Sequence, residues 1–566
     1  MPKILSMEEK LLHNLPPATL ASRLMALPAP RRLATLLERN DAEAVVIALP
    51  EPDFYLFVKE LDPGSASPLL AMARPGQLTH LIDVDCWQGD ELLVGKTLAW
   101  CEEMLAADET KFLSWLYHAD FEFLVALFKK WFDRIEIAGE DDRDYQEESD
   151  HLPQSTIDNQ YYFSTIYPAH EPLLKYILGY LFENHNGFYL SLLHSVRAFL
   201  ETEVNELAYR FRRGRLADHA IPDAGEAATI YQPLKPERLA RDKVLAHYND
   251  EELAALPSFA LALVGQHRDL LATALARVDN PAVRANLKQE MAALANKVVV
   301  ADALAPDEPE SLHQAVDKAA AMVNLGLDLL CDGDPDRATL ALAQIYLENL
   351  YRCGQTRVTS LRLRLDALLH EGWLRHWPHG LNLFDEPWHE AVDLLMAKTP
   401  MLLRQSDGGS APEDLFRSRT DLAAAEETVT MTEGLEPLFA DCRRFWPEGW
   451  QQLAHLLLPQ GQVHQLNQVT LGTLLLTGAA NALRQGTWQT VPLPVASWGE
   501  TAPLLAPEGM EKILRQHLAE LLPDKTAHRA AERYLQPLLL RYREEMGDRH
   551  HLPEPQLTPF FLFRAD

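Results

Sequence analysis

"PEPDFYLFVKELDPGSASPLLAMARPGQLTHLIDVD", residues 50–85, falls into three blocks of twelve, each opening on a polar, proline-bearing segment and closing on an apolar run. The apolar places are Phe54, Phe57, Val58 and Leu61 in the first block, and Ala66, Leu69, Leu70 and Ala73 in the second. The third has Leu78, Leu81 and Ile82, with Asp85 in the fourth place. One block upstream stand Ala42, Val45, Val46 and Leu49. Each set repeats i, i+3, i+4, i+7, the spacing that puts side chains on one face of an α-helix. Pro50, Pro52, Pro63 and Pro75 sit at block starts, where a missing N–H costs least. One unit is therefore a helix of about 8–9 residues, about 13 Å long, plus a turn.

Helices this short do not hold alone in water. Each has to bury its stripe against neighbours, as stacked repeat arrays do. The competing arrangement is a plain helical bundle whose spacing recurs by accident; four blocks in register favour the stack. Asp85 on an apolar place is where such an array would end. Leu20, Leu24 and Leu27, then Leu33, Leu36 and Leu37, continue the style upstream.

The stretch "LPPATLASRLMALPAPRRLATLLERNDAEAVVIALPEPDFYLFVKELDPGSASPLLAMA", within residues 15–130, resembles the cytoplasmic superhelical N domain of MgtE-type magnesium transporters, itself related to the helical repeats of the flagellar motor switch protein. The resemblance implies a superhelical interaction domain. The transporter's paired regulatory domains and membrane helices have no counterpart here, so transport is not implied. The chain as a whole resembles an uncharacterised family of large, soluble, helical bacterial proteins, with "RGRLADHAIPDAGEAATIY" (213–231) as a recognisable stretch.

Bulk composition narrows the function classes. The chain has 566 residues and a net charge of −30, from 82 acids against 52 bases. That balance repels phosphate backbones and anionic lipid, so nucleic acid and membrane surfaces are poor partners. The five cysteines, Cys86, Cys101, Cys331, Cys353 and Cys442, form no close pair. Neither a disulfide framework nor a zinc ribbon is indicated, and free thiols fit a reducing cytoplasm. "MPKILSMEEKLLHNL" does not read as a signal peptide. The most apolar run, residues 469–483, is shorter than the ~20 residues a membrane span needs.

Beyond the blocks the pattern stays helical. Residues 1–138 read as the repeat domain and 139–156, "GEDDRDYQEESDHLPQST", as an acidic linker or loop. Helical regions follow at 157–236, 237–405 (with a helical hairpin) and 406–566. "GTWQTVPLPVASW" (486–498) is the best candidate for extended structure, and the proline-rich tail cannot form a regular helix. The predicted fold class is mainly α, with little or no β.

Four constellations invite a functional reading. "YRFRRGR" places Arg210, Arg212, Arg213 and Arg215 together, a candidate anion site because guanidinium groups bind phosphate or carboxylate bidentately. Salt bridging competes: Glu206 precedes Arg210 by one helical turn, and Arg215 can meet Asp218. "DVDCWQGD" offers Asp83, Asp85 and Asp90 as oxygen ligands for a divalent cation, a pattern common by chance. "WLRHWPHGLNLFDEPWHE" gathers His376, His379 and His389 with Asp385 and Glu390, a conceivable metal site, although tryptophan-rich loops more often cap a helical core. "CDGDPD" imitates a calcium loop but has Ala343 where the closing glutamate belongs. No phosphate-binding loop, dinucleotide fingerprint, nucleophile elbow or kinase signature occurs, and no motif names a cofactor. The sequence therefore points to a cytoplasmic scaffold or adaptor, more a binding protein than an enzyme, with a protein partner held by the N-terminal superhelix. The alternative is a helical enzyme or ligand sensor using the arginine or histidine cluster.

Overall fold

The computed structural model describes residues 14–62, 64–139, 152–404, 413–459, 461–522, 524–547 and 558–565, with Leu12 and Glu554. The fold is mainly α, as expected. The chain divides into two compact units, residues 1–352 and 353–566.

The first unit begins with short helices: α1 (Pro17–Leu24), α2 (Ala29–Leu37), α3 (Ala42–Ile47), α4 (Glu51–Lys59), α5 (Ser67–Met72) and α6 (Pro75–Asp85). A two-residue hairpin, β1 (Trp87–Gln88) and β2 (Glu91–Leu92), leads to α7 (Val94–Ala107), α8 (Glu109–His118) and α9 (Phe121–Trp131). Prolines open α1, α2, α4, α5 and α6 in the first turn, where φ is already helical and no N–H is lost from the ladder. Val45, Val46, Leu49, Phe54, Phe57, Val58, Ala66, Leu69, Leu70, Ala73, Leu78, Leu81 and Ile82 are all buried. Each fully buried leucine or phenylalanine contributes about 1.5–3 kcal/mol, and that is what holds helices this short.

Much of the packing skips one helix, although α7 and α8 also pack directly on each other. α1 packs on α3, α3 on α5 and α5 on α7; α4 packs on α6 and α6 on α8. Polar side chains add further ties. Buried Gln77 in α6 donates from Nε2 to the carbonyls of Val46 and Leu49, both at 2.8 Å, adding a side-chain donor at the end of α3. Arg32 in α2 pairs with Glu60 just past α4.

A three-stranded antiparallel sheet follows, β3 (Phe132–Ile137), β4 (Ser155–Thr156) and β5 (Tyr161–Thr165), in the order β3-β5-β4. Of the acidic stretch 139–156, residues 140–151 lie outside the described residues. The segments flanking it are hydrogen-bonded strands of one sheet, and contacts draw the unit boundary at 352. Then come α10 (Glu171–Asn184), α11 (Asn186–Ala198) and α12 (Glu201–Asp218), with α11 and α12 both against α9. Further helices of the unit include α13 (Phe259–Val264) and the long pair α14 (Pro281–Ala301) and α15 (Pro309–Cys331). Asp53, buried in α4, accepts from Ser258 N (2.9 Å), Ser258 Oγ (2.5 Å) and Phe259 N (3.0 Å), tying α4 to the start of α13. At Gly326 in α15 a Cβ would stand 2.1 Å from the Leu350 carbonyl oxygen, so only glycine permits that approach.

α16 (Leu347–His370) runs into the second unit. There α17 (Arg419–Gly434), α18 (Leu471–Gln485), α19 (Pro507–Leu521) and α20 (Lys525–Gly547) form the frame, with α17 on α20, α18 on α19 and α19 on α20. Residues 486–498 are extended only at Leu493–Pro494, which pair in parallel with Phe563–Arg564. That pairing inserts Phe560, Phe561, Leu562 and Phe563 of the tail into the core.

Candidate functional site

The arginine cluster lies on α12, and the fold has divided it. The inward stripe of this helix is Val204, Ala208, Arg212 and Leu216, so one guanidinium occupies a core position. Arg212 donates from Nε to the Asp83 carbonyl (2.7 Å) and from Nη1 to the Gly89 carbonyl (3.2 Å), with its guanidinium over the Trp87 ring at 5.1 Å. Arg215 grips the Asp83 carboxylate with two bonds, Nε at 2.6 Å and Nη2 at 2.7 Å, and also pairs with Asp120. Burial works against the Arg215 charge, but the hydrogen bonds and charge of Asp83 outweigh it, and the guanidinium is held above its ordinary value. Arg213 pairs with Asp223 at 2.9 Å. Arg210 alone faces outward onto a groove. Salt bridges thus hold Arg213 and Arg215, and backbone carbonyls hold Arg212; the partners of Arg215 are Asp83 and Asp120, far away in sequence, rather than Asp218.

The acidic pair Asp83 and Asp85 is likewise spent on the fold. Asp85 accepts from Lys59 Nζ (2.7 Å) and Trp100 Nε1 (2.6 Å), and Lys96 Nζ stands at 3.3 Å. Asp83 and Asp85 are both buried, one committed to Arg215 and the other to two lysines. This cationic surrounding is the opposite of what a bound cation needs.

His376, His379 and His389 do not form a ligand set; among the described residues no group of three or more His, Cys, Asp or Glu is placed to hold a metal. His389 Nδ1 is 3.0 Å from the Leu381 carbonyl oxygen. Partial burial and the Arg443 and Arg375 cations push His376 below the usual imidazole value, and the same cations would repel a metal. Asp385 anchors the start of α18, accepting from Thr470 Oγ1 (2.6 Å), Gly472 N (2.7 Å) and Tyr534 Oη (2.5 Å). Two of the three tryptophans of this stretch are core, Trp373 packing on Phe439 and Trp377 on Trp450, while Trp388 is half-buried.

A groove marked by no motif in the sequence stays open beside the arginine cluster of α12. It has a volume of about 550 Å3 and is walled by Phe121 and Val125 of α9, Phe199 at the end of α11, and Val204, Leu207 and Arg210 of α12. Phe199 is 50% exposed, Leu200 65%, Leu207 44% and Phe211 47%. Phe199 and Leu207 line the groove, and helical spacing puts Leu200 and Phe211 on the same face as Leu207, an exposed apolar patch of the kind that marks interaction sites. Glu122, Glu203 and Glu206 rim it, with Arg210 as the one cation of its lining. The sequence signal was a second apolar stripe, Leu200, Leu207 and Phe211, beside the inward one on a charged helix.

The fold and this surface define a mainly helical protein with an open apolar groove and with buried carboxylates satisfied internally, by cations at Asp83 and Asp85 and by neutral donors at Asp53 and Asp385. Residues 9–564 match the model of a family of unknown function, DUF6178, and the chain belongs to that family. No curated protein and no solved structure matches the chain. Among the described residues no helix is long and apolar enough to cross a membrane.

Proposed function

We propose that the protein is a cytoplasmic scaffold or adaptor, and that a partner protein docks an amphipathic segment with basic flanks into the groove of α9, α11 and α12. The observation that carries this reading is the cluster Phe199, Leu200, Leu207 and Phe211, apolar and about half open to water. Leaving such area exposed costs free energy, about 25 cal/mol for each Å2 that a partner could cover. The three glutamates at the rim favour a basic segment, and the chain's net charge of −30 steers one toward the surface.

The two rows of short helices, read as a superhelix, supply a stiff support for α9, and the likeness of residues 15–130 to the MgtE N domain favours the same interaction role. Five buried free cysteines fit a reducing compartment. The test is a fluorescence titration of the full chain with a labelled peptide of about 16 residues, leucine on one helical face and lysine on the other. Leu207→Ser with Phe211→Ser should weaken binding at least about tenfold, about 1.4 kcal/mol, with the thermal midpoint held. Unchanged affinity in that variant removes the groove from the account.

A further inference from the structure

The second unit carries a surface of opposite character. α19 and α20 pack side by side and leave between them an open trough of about 620 Å3. Its floor is leucine: Leu514, Leu518 and Leu535 are buried, while Leu540 is 56% exposed. Its walls hold Arg515, Arg529, Arg533 and Arg543 against Glu511 and Glu532. On a chain with 30 more acids than bases, four arginines along one trough are a local reversal of sign.

The glutamates neutralise only part of it. Glu511 bridges Arg515 (2.8 Å) and Arg543 (2.7 Å), and Arg533 pairs with Glu427 while lying over the Trp388 ring. Arg529 is exposed and makes no ion pair among the described residues. Arg515 and Arg543 keep 65% and 61% of their side-chain surface open to solvent.

We infer that the α19–α20 trough is a second docking surface, which receives an acidic amphipathic helix from a partner protein. Two packed helices present a groove between their ridges, and a third helix seats there with apolar side chains down. α19, at 15 residues, gives a trough about 22 Å long, enough for about four helical turns. The arginines would meet carboxylates along both edges, each fork able to take one bidentately. An open trough with solvated walls suits a helix better than a lipid chain, which needs enclosure. This inference stands apart from the groove of the first unit, because no residue is shared.

The test uses the full chain and two labelled peptides of about 16 residues, leucine on one face and either glutamate or lysine on the other. The glutamate peptide should bind the wild-type chain and weaken as salt rises. Arg515→Glu with Arg529→Glu should lower its affinity at least about tenfold, and Arg515→Gln with Arg529→Gln by an intermediate factor. Leu207→Ser with Phe211→Ser should leave glutamate-peptide binding unchanged, so that failure of either docking site is seen separately. Equal affinity of wild type and the arginine variants for the glutamate peptide overturns the inference. So does binding of phosphatidylglycerol vesicles, but not the peptide, through these arginines. Self-association in sedimentation that the arginine variants abolish would assign the trough to a second copy and overturn the partner reading.

Discussion

Two helices rich in arginine, α12 in the first unit and α20 in the second, dispose of the same residue type in opposite ways. In α12 the guanidiniums of Arg212 and Arg215 turn inward to Asp83, and the apolar Leu207 and Phe211 are left facing water. In α20 Leu535 and Leu538 turn inward and are buried, Leu540 stays half open, and Arg529 lies outside. What decides the difference is where buried carboxylates lie. Asp83 sits at the end of α6 and needs a cation, so α12 supplies Arg215 and loses part of its apolar face to solvent. No such demand falls on α20. The first unit therefore shows an apolar groove with an acidic rim, the second a trough lined with arginine.

That comparison breaks most visibly if Arg215 is removed. Arg215→Met leaves the Asp83 carboxylate buried without its bidentate partner, and loss of one member of such a pair costs about 3–5 kcal/mol; the expected result, read by denaturant unfolding, is near the lower figure, because Arg215 is 26% exposed. A loss under about 0.5 kcal/mol would mean that Asp83 does not depend on α12. Next in size, Leu69→Ala should cost about 2–5 kcal/mol, because Leu69 is fully buried between the rows, whereas exposed Ser67→Ala should stay within about 0.5 kcal/mol. In the second unit a carboxylate is held by neutral donors instead. Asp385→Ala strips Thr470, Gly472 and Tyr534 of their shared acceptor and should lower stability by about 1–3 kcal/mol.

A smaller effect concerns pH. His80 in α6 is buried against the His219 ring at 4.5 Å, with Tyr55 at 6.1 Å, and burial, then His219, holds its pKa well below 6.5. The folded chain keeps this imidazole neutral while the unfolded chain protonates it. His80 therefore contributes a loss of stability as pH falls below about 6.5, the unfolded value, and none above it. Unfolding curves from pH 7.5 down to 5 should fall less steeply in His80→Gln; parallel curves would count against a neutral buried imidazole. Smallest of all, Arg529→Met should change stability by less than about 0.5 kcal/mol, in contrast to Arg215→Met.

The sequence was legible where one face of a helix meets the core within a few residues of itself. The stripe at Val45, Val46, Leu69, Leu70, Leu81 and Ile82 follows from local spacing, and all six are buried. Asp85 was misleading as an end marker: helix packing continues past it to α7 and α8, and its slot tolerates a carboxylate because Lys59, Lys96 and Trp100 converge there. Arg215 finds its partners 132 and 95 residues away, beyond any helical-turn argument, which named Asp218. The histidines between 376 and 389 are close in sequence, but among the described residues no group of three His, Cys, Asp or Glu is placed to hold a metal. The groove was least legible. Exposure of Leu207 and Phe211 follows from Arg212 holding the inward stripe, and that depends on Asp83, a tertiary partner.

Hydrogen exchange of the full chain, with and without a saturating leucine–lysine amphipathic peptide, tests the docking proposal most directly. The account predicts added protection in residues 121–125 and 199–211, with residues 511–543 unchanged. Protection at 511–543 alone, or none in the first unit at saturation, would contradict it.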